Sequence, residues 1–363
     1  MRVLWAELRD FRNHAATEVR GIPDGLVAIV GPNGAGKTNL LEGMFFALTL
    51  GSPRAAGTGP LVRRGASAAY VRAEVETREG RALIEIEVPA GRAARVHLNR
   101  SPVRRKRDLR RRVRAVLFGP EDLEIVRGEP AARRRFLDEA VATIWPLREG
   151  LAPAYDRALR QRNRLLKDWD GGASPPGLGA WDAELVATGA ALMRARAEAV
   201  GRVAEPAAQA FRAVAGYGLV CRYVPSVWGE DLEAAFAARL AERREDELAR
   251  RTSLVGPHRD DLELAVRELG ARSFGSHGEA WAAALALRLG LARAVEGEVG
   301  EAPVRFLDDP LAPLDPERQA RVADLVRGHG QAFVAVADEA HVPAAAAAVW
   351  EVRAGSVRIR EGV

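Results

Sequence analysis

The chain has 363 residues, 48% of them hydrophobic and 28% charged, and a formal net charge of +5. That length supports two domains and a sizeable core, and no run of about 18 apolar residues argues for a membrane span. Cys221 is the single cysteine, so a disulfide framework and a Cys-based metal site are excluded, and the six histidines show no H-E-x-x-H or comparable ligand spacing. Met1 to Glu7 does not read as a secretory leader, because its apolar stretch is short and soon carries charge. The expected compartment is the cytoplasm.

The first 90 residues read as sheet, with strands expected at 4–8, 15–19, 27–30, 69–75 and 82–88 between Gly and Pro turns. The third runs into Gly31-Pro32-Asn33-Gly34-Ala35-Gly36-Lys37-Thr38, which matches the phosphate-loop pattern G-x-x-x-x-G-K-[ST]. A helix is expected over 38–48, with Leu40, Leu41, Met44, Phe45 and Leu48 on one face. Strand, glycine loop and helix are the context the motif needs. Loop N–H groups and the helix N-terminus then cradle phosphates, Lys37 neutralises charge and Thr38 meets magnesium. Lys37 is one of only three lysines against 51 arginines. A compact ammonium reaches between β- and γ-phosphates where a planar guanidinium is too large. The expected cofactors are therefore ATP and Mg2+.

Residues 92–114 carry eleven basic side chains and one acid, Asp108. The densest part holds Arg104, Arg105, Lys106, Arg107, Arg110, Arg111 and Arg112. Two readings stay open: a contact surface for a nucleic-acid phosphate backbone, or a solvated arginine-rich face. Aromatic residues hardly interleave with the run, so stacking on single-stranded bases has little support.

From about 130 to 250 the texture is helical, broken by a Gly/Pro connector at 171–177. After Ser253 strands and helices alternate again. Ser273-Phe274-Gly275-Ser276-His277-Gly278-Glu279 precedes an apolar helix at 280–294. Ser276 and Gly278 either form an anion site for a γ-phosphate or simply cap that helix. A strand at 304–309 ends in paired acids; Asp308 is assigned to the metal through water and Asp309 to the attacking water. Asp315-Pro316-Glu317 opens a helix that Gly328 can close, and 331–338 is a further buried strand. The architecture expected is an α/β nucleotide-binding head made from both ends of the chain (1–125 and 253–363) with a helical insertion at 126–252.

The chain resembles the RecF DNA repair proteins of the ABC-type ATPase group that includes SMC and Rad50. Carrying the resemblance are Leu8-Arg9-Asp10-Phe11-Arg12-Asn13, Leu117-Phe118-Gly119-Pro120-Glu121-Asp122-Leu123, and the segment from Gly128 to Asp138. Gln161-Arg162-Asn163-Arg164-Leu165-Leu166-Lys167 and Gly256-Pro257-His258-Arg259-Asp260-Asp261-Leu262 complete it. The resemblance implies an ABC-type P-loop head that dimerises head to tail. ATP is then sandwiched between one subunit's phosphate loop and the other's Ser276 and Gly278, with Lys37 and Asp309 catalytic. It implies binding to double-stranded and gapped DNA, work with RecR and RecO in loading RecA, and slow hydrolysis that resets the clamp. The chain departs from the family pattern at Glu279-Ala280-Trp281, Ala312-Pro313, Arg305, Ala335 and Ala337. These departures suggest as an alternative a related protein that binds ATP and DNA without significant turnover.

Overall fold

The computed structural model describes residues 1–55, 57–172, 174–266, 269–270 and 276–361. Ser273, Phe274 and Gly275 of the segment singled out above lie outside the described residues.

Alternating apolar positions build the first layer. β1 (Arg2–Phe11), β2 (His14–Arg20), β4 (Ala68–Thr77), β5 (Gly80–Pro89), β6 (Arg95–Leu98) and β7 (Ser101–Pro102) form a six-stranded antiparallel sheet in the order β2-β1-β4-β5-β6-β7. Along β5 the side chains of Ala82, Ile84, Ile86 and Val88 are buried while their neighbours are half-buried, as a one-sided sheet requires. β3 (Leu26–Val30) breaks this rhythm because all five of its residues are buried. It lies inside a second sheet with β8 (Ala115–Phe118), β12 (Val304–Asp308), β13 (Ala332–Val336), β14 (Ala348–Arg353) and β15 (Ser356–Glu361), ordered β15-β14-β3-β13-β12-β8. All neighbours except β14 and β15 pair in parallel. Buried on both faces, β3, β8 and β13 are continuous apolar runs.

Helix α1 (Lys37–Thr49) fills the space between the two sheets, where Leu8, Met44, Ile84 and Phe306 share one core. The buried amide of Gln331 stitches the layers together: it accepts from Val3 N at 2.7 Å and donates to Val3 O at 3.0 Å.

Short α2 (Lys106–Arg112) and α3 (Leu123–Arg127) flank β8. The opposite face of the parallel sheet is covered by α4 (Pro130–Ile144), α6 (Leu178–Ala215) and α9 (His277–Val299), which share a second core with Leu307 and Val334. A Cβ on Gly290 would come within 2.8 Å of Ala207 N, so a glycine there lets α9 cross close against α6. α5 (Leu151–Lys167), the far end of α6, and α7 (Leu232–Glu242) enclose a third core; α8 (Arg244–Arg250) follows, and α10 (Pro316–Arg327) joins β12 to β13.

The reading of 130–250 as wholly helical needs correction. β9 (Leu219–Val224) lies inside it and pairs antiparallel with β10 (Asp261–Val266), which in turn pairs with β11 (Leu269–Gly270). Its sequence Leu-Val-Cys-Arg-Tyr-Val is rich in β-branched and aromatic residues, and glycines and a proline bracket it. The short strand is hidden by the Ala- and Arg-rich helices on either side. The pairing also ties the insertion to the C-terminal segment across the boundary drawn at 252. No helix among the described residues is long and apolar enough to cross a membrane.

Candidate functional site

The phosphate loop leaves the carboxyl end of β3, between β13 and β14, and turns into α1 at Gly36. Gly36 has φ 114°, and a Cβ there would strike the Asn13 amide at 2.6 Å. Gly31 is held for another reason: its Cβ would lie 2.3 Å from Val352 O of the C-terminal hairpin. Lys37 is folded back over the loop, donating to Gly31 O at 2.6 Å and Pro32 O at 3.1 Å. Burial lowers its pKa, and the nearby charges of Asp309 and Asp308 oppose that shift.

The two acids stand where β12 ends. Thr38 Oγ1 donates to Asp308 Oδ2 at 2.8 Å, so hydroxyl and carboxylate share one point opposite the loop. Burial raises the Asp308 pKa, the Thr38 bond lowers it, and Asp309 and Glu121 raise it further. Asp309 takes φ 52°, uncommon for a residue with a side chain, and its N–H is tied to Ala335 O at 3.1 Å. Its carboxyl is also raised by burial, against Lys37 and His341. Among the described residues no group of three or more His, Cys, Asp or Glu side chains is gathered to hold a metal by itself. The Thr38–Asp308 oxygen pair nevertheless suits Mg2+, a hard ion that uses one or two protein oxygens and completes its shell with phosphates and water.

A bracket of polar residues sets the loop's shape. Arg12 grips Glu42 of α1 through two bonds, of 2.9 and 2.7 Å, and Ser52 adds a third at 2.5 Å. Asn39 donates to Asn13 Oδ1 at 2.8 Å and Asn13 to Ala35 O at 3.2 Å, while Arg54 donates to Asn39 at 3.0 Å. His14 Nε2 lies 3.0 Å from Gly36 O. Sequence reading missed Glu42, Asn39, Arg54, His14 and His341; the only signal was the Phe11-Arg12-Asn13 segment, which marks the first strand's end without showing what it touches. An open cavity of about 710 Å³ overlies the loop, lined by residues 30–35 and 337–339 with Glu351, Arg353 and Ala354.

Ser276 and Gly278 stand apart from that cavity. Ser276 Oγ accepts from Glu279 N at 3.1 Å and the Glu279 carboxylate accepts from Ser276 N at 2.7 Å, a reciprocal capping box. Tyr217 OH also donates to Glu279. The capping alternative is thus realised within the chain, and it accounts for the glutamate at 279. One other departure has a local reason too. Arg305, buried in β12, donates to Val326 O at 2.8 Å and Gly330 O at 3.0 Å, satisfying carbonyls where α10 ends.

The basic run divides. Arg104, Arg105, Lys106 and Arg111 are exposed and Arg107 is half-buried. Arg110 instead donates to Thr49 O at 3.0 Å and faces Glu149 at 3.7 Å, and Arg112 is ion-paired with Glu79.

Apart from Leu8 to Asn13, the segments that carry the family resemblance supply buried or half-buried ion pairs within the helical layer and at the start of β10. Arg133 makes a forked pair with Asp261, at 2.6 and 2.8 Å, and Arg196 another with Asp138, at 2.8 and 3.0 Å. Arg196 also reaches the fully buried Asp260, which Tyr223 and Ser226 N bond. Arg162, fully buried, spans Asp182, Ser253 and Glu247. On α9, Arg288 holds Asp122 and Glu139, both at 2.6 Å.

A phosphate loop, strand-end acids and a helical layer on a two-sheet frame define an ABC-type P-loop ATPase head. Residues 4–356 match the RecF/RecN/SMC N terminal domain. "DNA replication and repair protein RecF" of Kineococcus radiotolerans is 41% identical over 372 residues, covering 95% of both chains. The protein of that name from Streptomyces avermitilis is 42% identical over 357 residues, covering 94% of this chain and 95% of the other. The chain belongs to the RecF family of DNA replication and repair proteins. In three dimensions it is similar to the recombination mediator protein RecF with ATP, in the RecFOR pathway. That match has a TM-score of 0.87 and 24% identity, covering 99% of this chain and 97% of that one. An Smc head bound to the C-winged helix domain of ScpA follows at a TM-score of 0.59 and 17% identity, covering 100% of this chain and 98% of that one.

Proposed function

We propose that this chain is an ATP-gated DNA clamp of recombinational repair, which binds ATP and magnesium at Gly31 to Thr38 and hydrolyses ATP slowly. The observation that carries the reading is the meeting of Lys37, Thr38, Asp308 and Asp309 at the carboxyl ends of β3 and β12. Lys37 leaves its two loop carbonyls for the phosphates, an exchange of neutral acceptors for charged ones. Thr38 and Asp308 would hold Mg2+, which supplies positive charge to the phosphate oxygens. Asp309 orients a water molecule and takes its proton as the water oxygen bonds to the γ-phosphorus and the bond to the bridging oxygen breaks. Ser276 and Gly278 of a second copy would complete the site across a head-to-tail dimer, their helix N-terminus facing the γ-phosphate. Duplex and gapped DNA would lie along the exposed members of the 104–112 run, and RecO, RecR and RecA are the proposed partners. The division of the chain at 125 and 252 is proposed with the same architecture. The second reading, binding without turnover, is favoured by the alanine methyl at 337, which lines the cavity where the family carries a hydroxyl nearby.

Lys37→Ala tests the first reading. It should weaken nucleotide binding by about 2 to 5 kcal/mol and remove ATP-dependent DNA binding with it. Calorimetric titration with magnesium and ATP reads the first effect and fluorescence anisotropy on duplex DNA the second. Equal nucleotide affinity in parent and variant would remove the assignment.

A further inference from the structure

His14 opens β2 with its side chain fully buried, and both ring nitrogens are engaged. Nε2 lies 3.0 Å from Gly36 O and Nδ1 2.9 Å from Thr17 Oγ1, while Thr17 Oγ1 donates to Gly355 O at 2.8 Å. Protons can be counted along this chain. A carbonyl oxygen only accepts, so Nε2 must carry a hydrogen toward Gly36. Gly355 O also only accepts, so it holds the single hydroxyl hydrogen of Thr17. Nδ1 then faces an oxygen whose hydrogen is turned away. A neutral imidazole has one N–H, already used at Nε2, and the three contacts are one proton short. If Thr17 turns to Nδ1, Gly355 O loses its donor instead. A second ring proton satisfies all three contacts at once.

We propose that His14 is a positioning residue of the phosphate loop that takes up a proton when a nucleoside polyphosphate enters. This rests on the reading of the loop as a nucleotide site. Without ligand, burial disfavours the charged ring and the carbonyls of Gly36 and Gly355 favour it. The charged groups on the packed elements do not settle the balance toward protonation. Lys37 is positive; Glu42 is paired with Arg12, Glu18 with Arg20, and Glu351 with Arg353 and Arg360; Arg358 on β15 adds another cation. A polyphosphate next to Gly36 adds unpaired negative charge, which raises the affinity of His14 for a proton. The protonated ring then ties the loop to the C-terminal hairpin, whose Gly355 N already donates to Ala35 O at 2.8 Å.

His258 is the internal contrast. Its Nδ1 lies 2.6 Å from Tyr155 OH and its Nε2 3.1 Å from Ser253 O, so a neutral ring accepts from the phenol, donates to the carbonyl and needs no further proton.

The full chain would be titrated with magnesium and ADP, and with magnesium and ATP, in buffers of contrasting ionisation enthalpy between pH 6 and 8.5. The parent should take up a fraction of a proton per nucleotide, and its affinity should fall with rising pH by up to tenfold per pH unit. Both effects should be absent in His14→Gln and reduced in Thr17→Val, which removes the hydroxyl facing Nδ1 while keeping the Gly36 contact. Histidine side-chain 15N spectra of the unmodified chain should show the His14 ring becoming imidazolium on nucleotide binding, a readout that needs no variant. Binding by the parent with no proton uptake and a neutral ring overturns this inference alone. A parent that binds no nucleotide removes the reading of the loop, and this inference with it.

Discussion

Asp309 combines two unfavourable features: a left-handed backbone and a carboxyl whose pKa burial raises against the pull of Lys37 and His341. Both fit the role proposed for Asp309, a proton acceptor beside the phosphate loop. Asp309→Asn should keep nucleotide binding, because Lys37, Thr38 and Asp308 remain, and should remove most single-turnover cleavage, because an amide cannot accept the water's proton. Cleavage at the parental rate would move the catalytic role elsewhere. His258 makes a prediction about stability. Burial pushes its pKa down to about 4 from 6.5, so the unfolded chain binds the extra proton first. Stability is therefore whole above pH 6.5, falls as the pH drops toward about 4, and changes no further below that through this group. The loss is on the order of 3 kcal/mol. His258→Gln should flatten that part of a pH series of urea midpoints.

The elements are joined by ions as well as by apolar faces. α4, α6 and the turn that leads into β10 meet at Arg196, whose partners are Asp138 of α4 and Asp260, one residue before β10. Burial raises the Asp138 pKa while Arg196 lowers it. Arg196→Met would leave both acids facing an apolar stem, and breaking one side of a buried ion network costs about 3 to 5 kcal/mol. The urea midpoint should drop accordingly, whereas replacing all three residues by apolar ones should recover much of it. A midpoint within experimental error of the parent's would show that the network adds specificity without stability. The resemblance-bearing segments around Arg133, Arg162 and His258 are engaged away from the phosphate loop: Arg133 ties α4 to Asp261 of β10, Arg162 holds Asp182, Glu247 and Ser253, and His258 meets Tyr155 and Ser253 O.

On the scale of the whole molecule, charge placement bears on the proposed DNA contact. Of the seven basic residues from 104 to 112, Arg110 and Arg112 are engaged within the chain, so Arg104, Arg105, Lys106 and Arg111 are the exposed candidates. Replacing these four by alanine should flatten the log–log salt dependence of duplex binding by about 0.9 for each phosphate that is no longer neutralised. The weakening should be nearly uniform across DNA sequences. Arg110→Ala and Arg112→Ala should leave the slope alone. A slope unchanged by the fourfold replacement would return the run to a solvated face.

The sequence by itself determined what is contiguous: the phosphate loop with its strand and helix, the paired acids closing a strand, the apolar rhythm of both sheets, and the family. All but the family, which rests on five separate segments, are written within a few residues, because backbone geometry repeats over that distance. Tertiary structure alone decided what surrounds the loop. Thr17 and Gly355, bonded at 2.8 Å, are 338 residues apart, and Thr38 and Asp308 are 270 apart. Nothing near His14, Glu42 or Asn39 in the chain shows that they bracket the loop, nor that Arg110 and Arg112 are already paired. β9 was hidden for a similar reason: six residues that follow a long helix pair with β10, a partner about 40 positions further on.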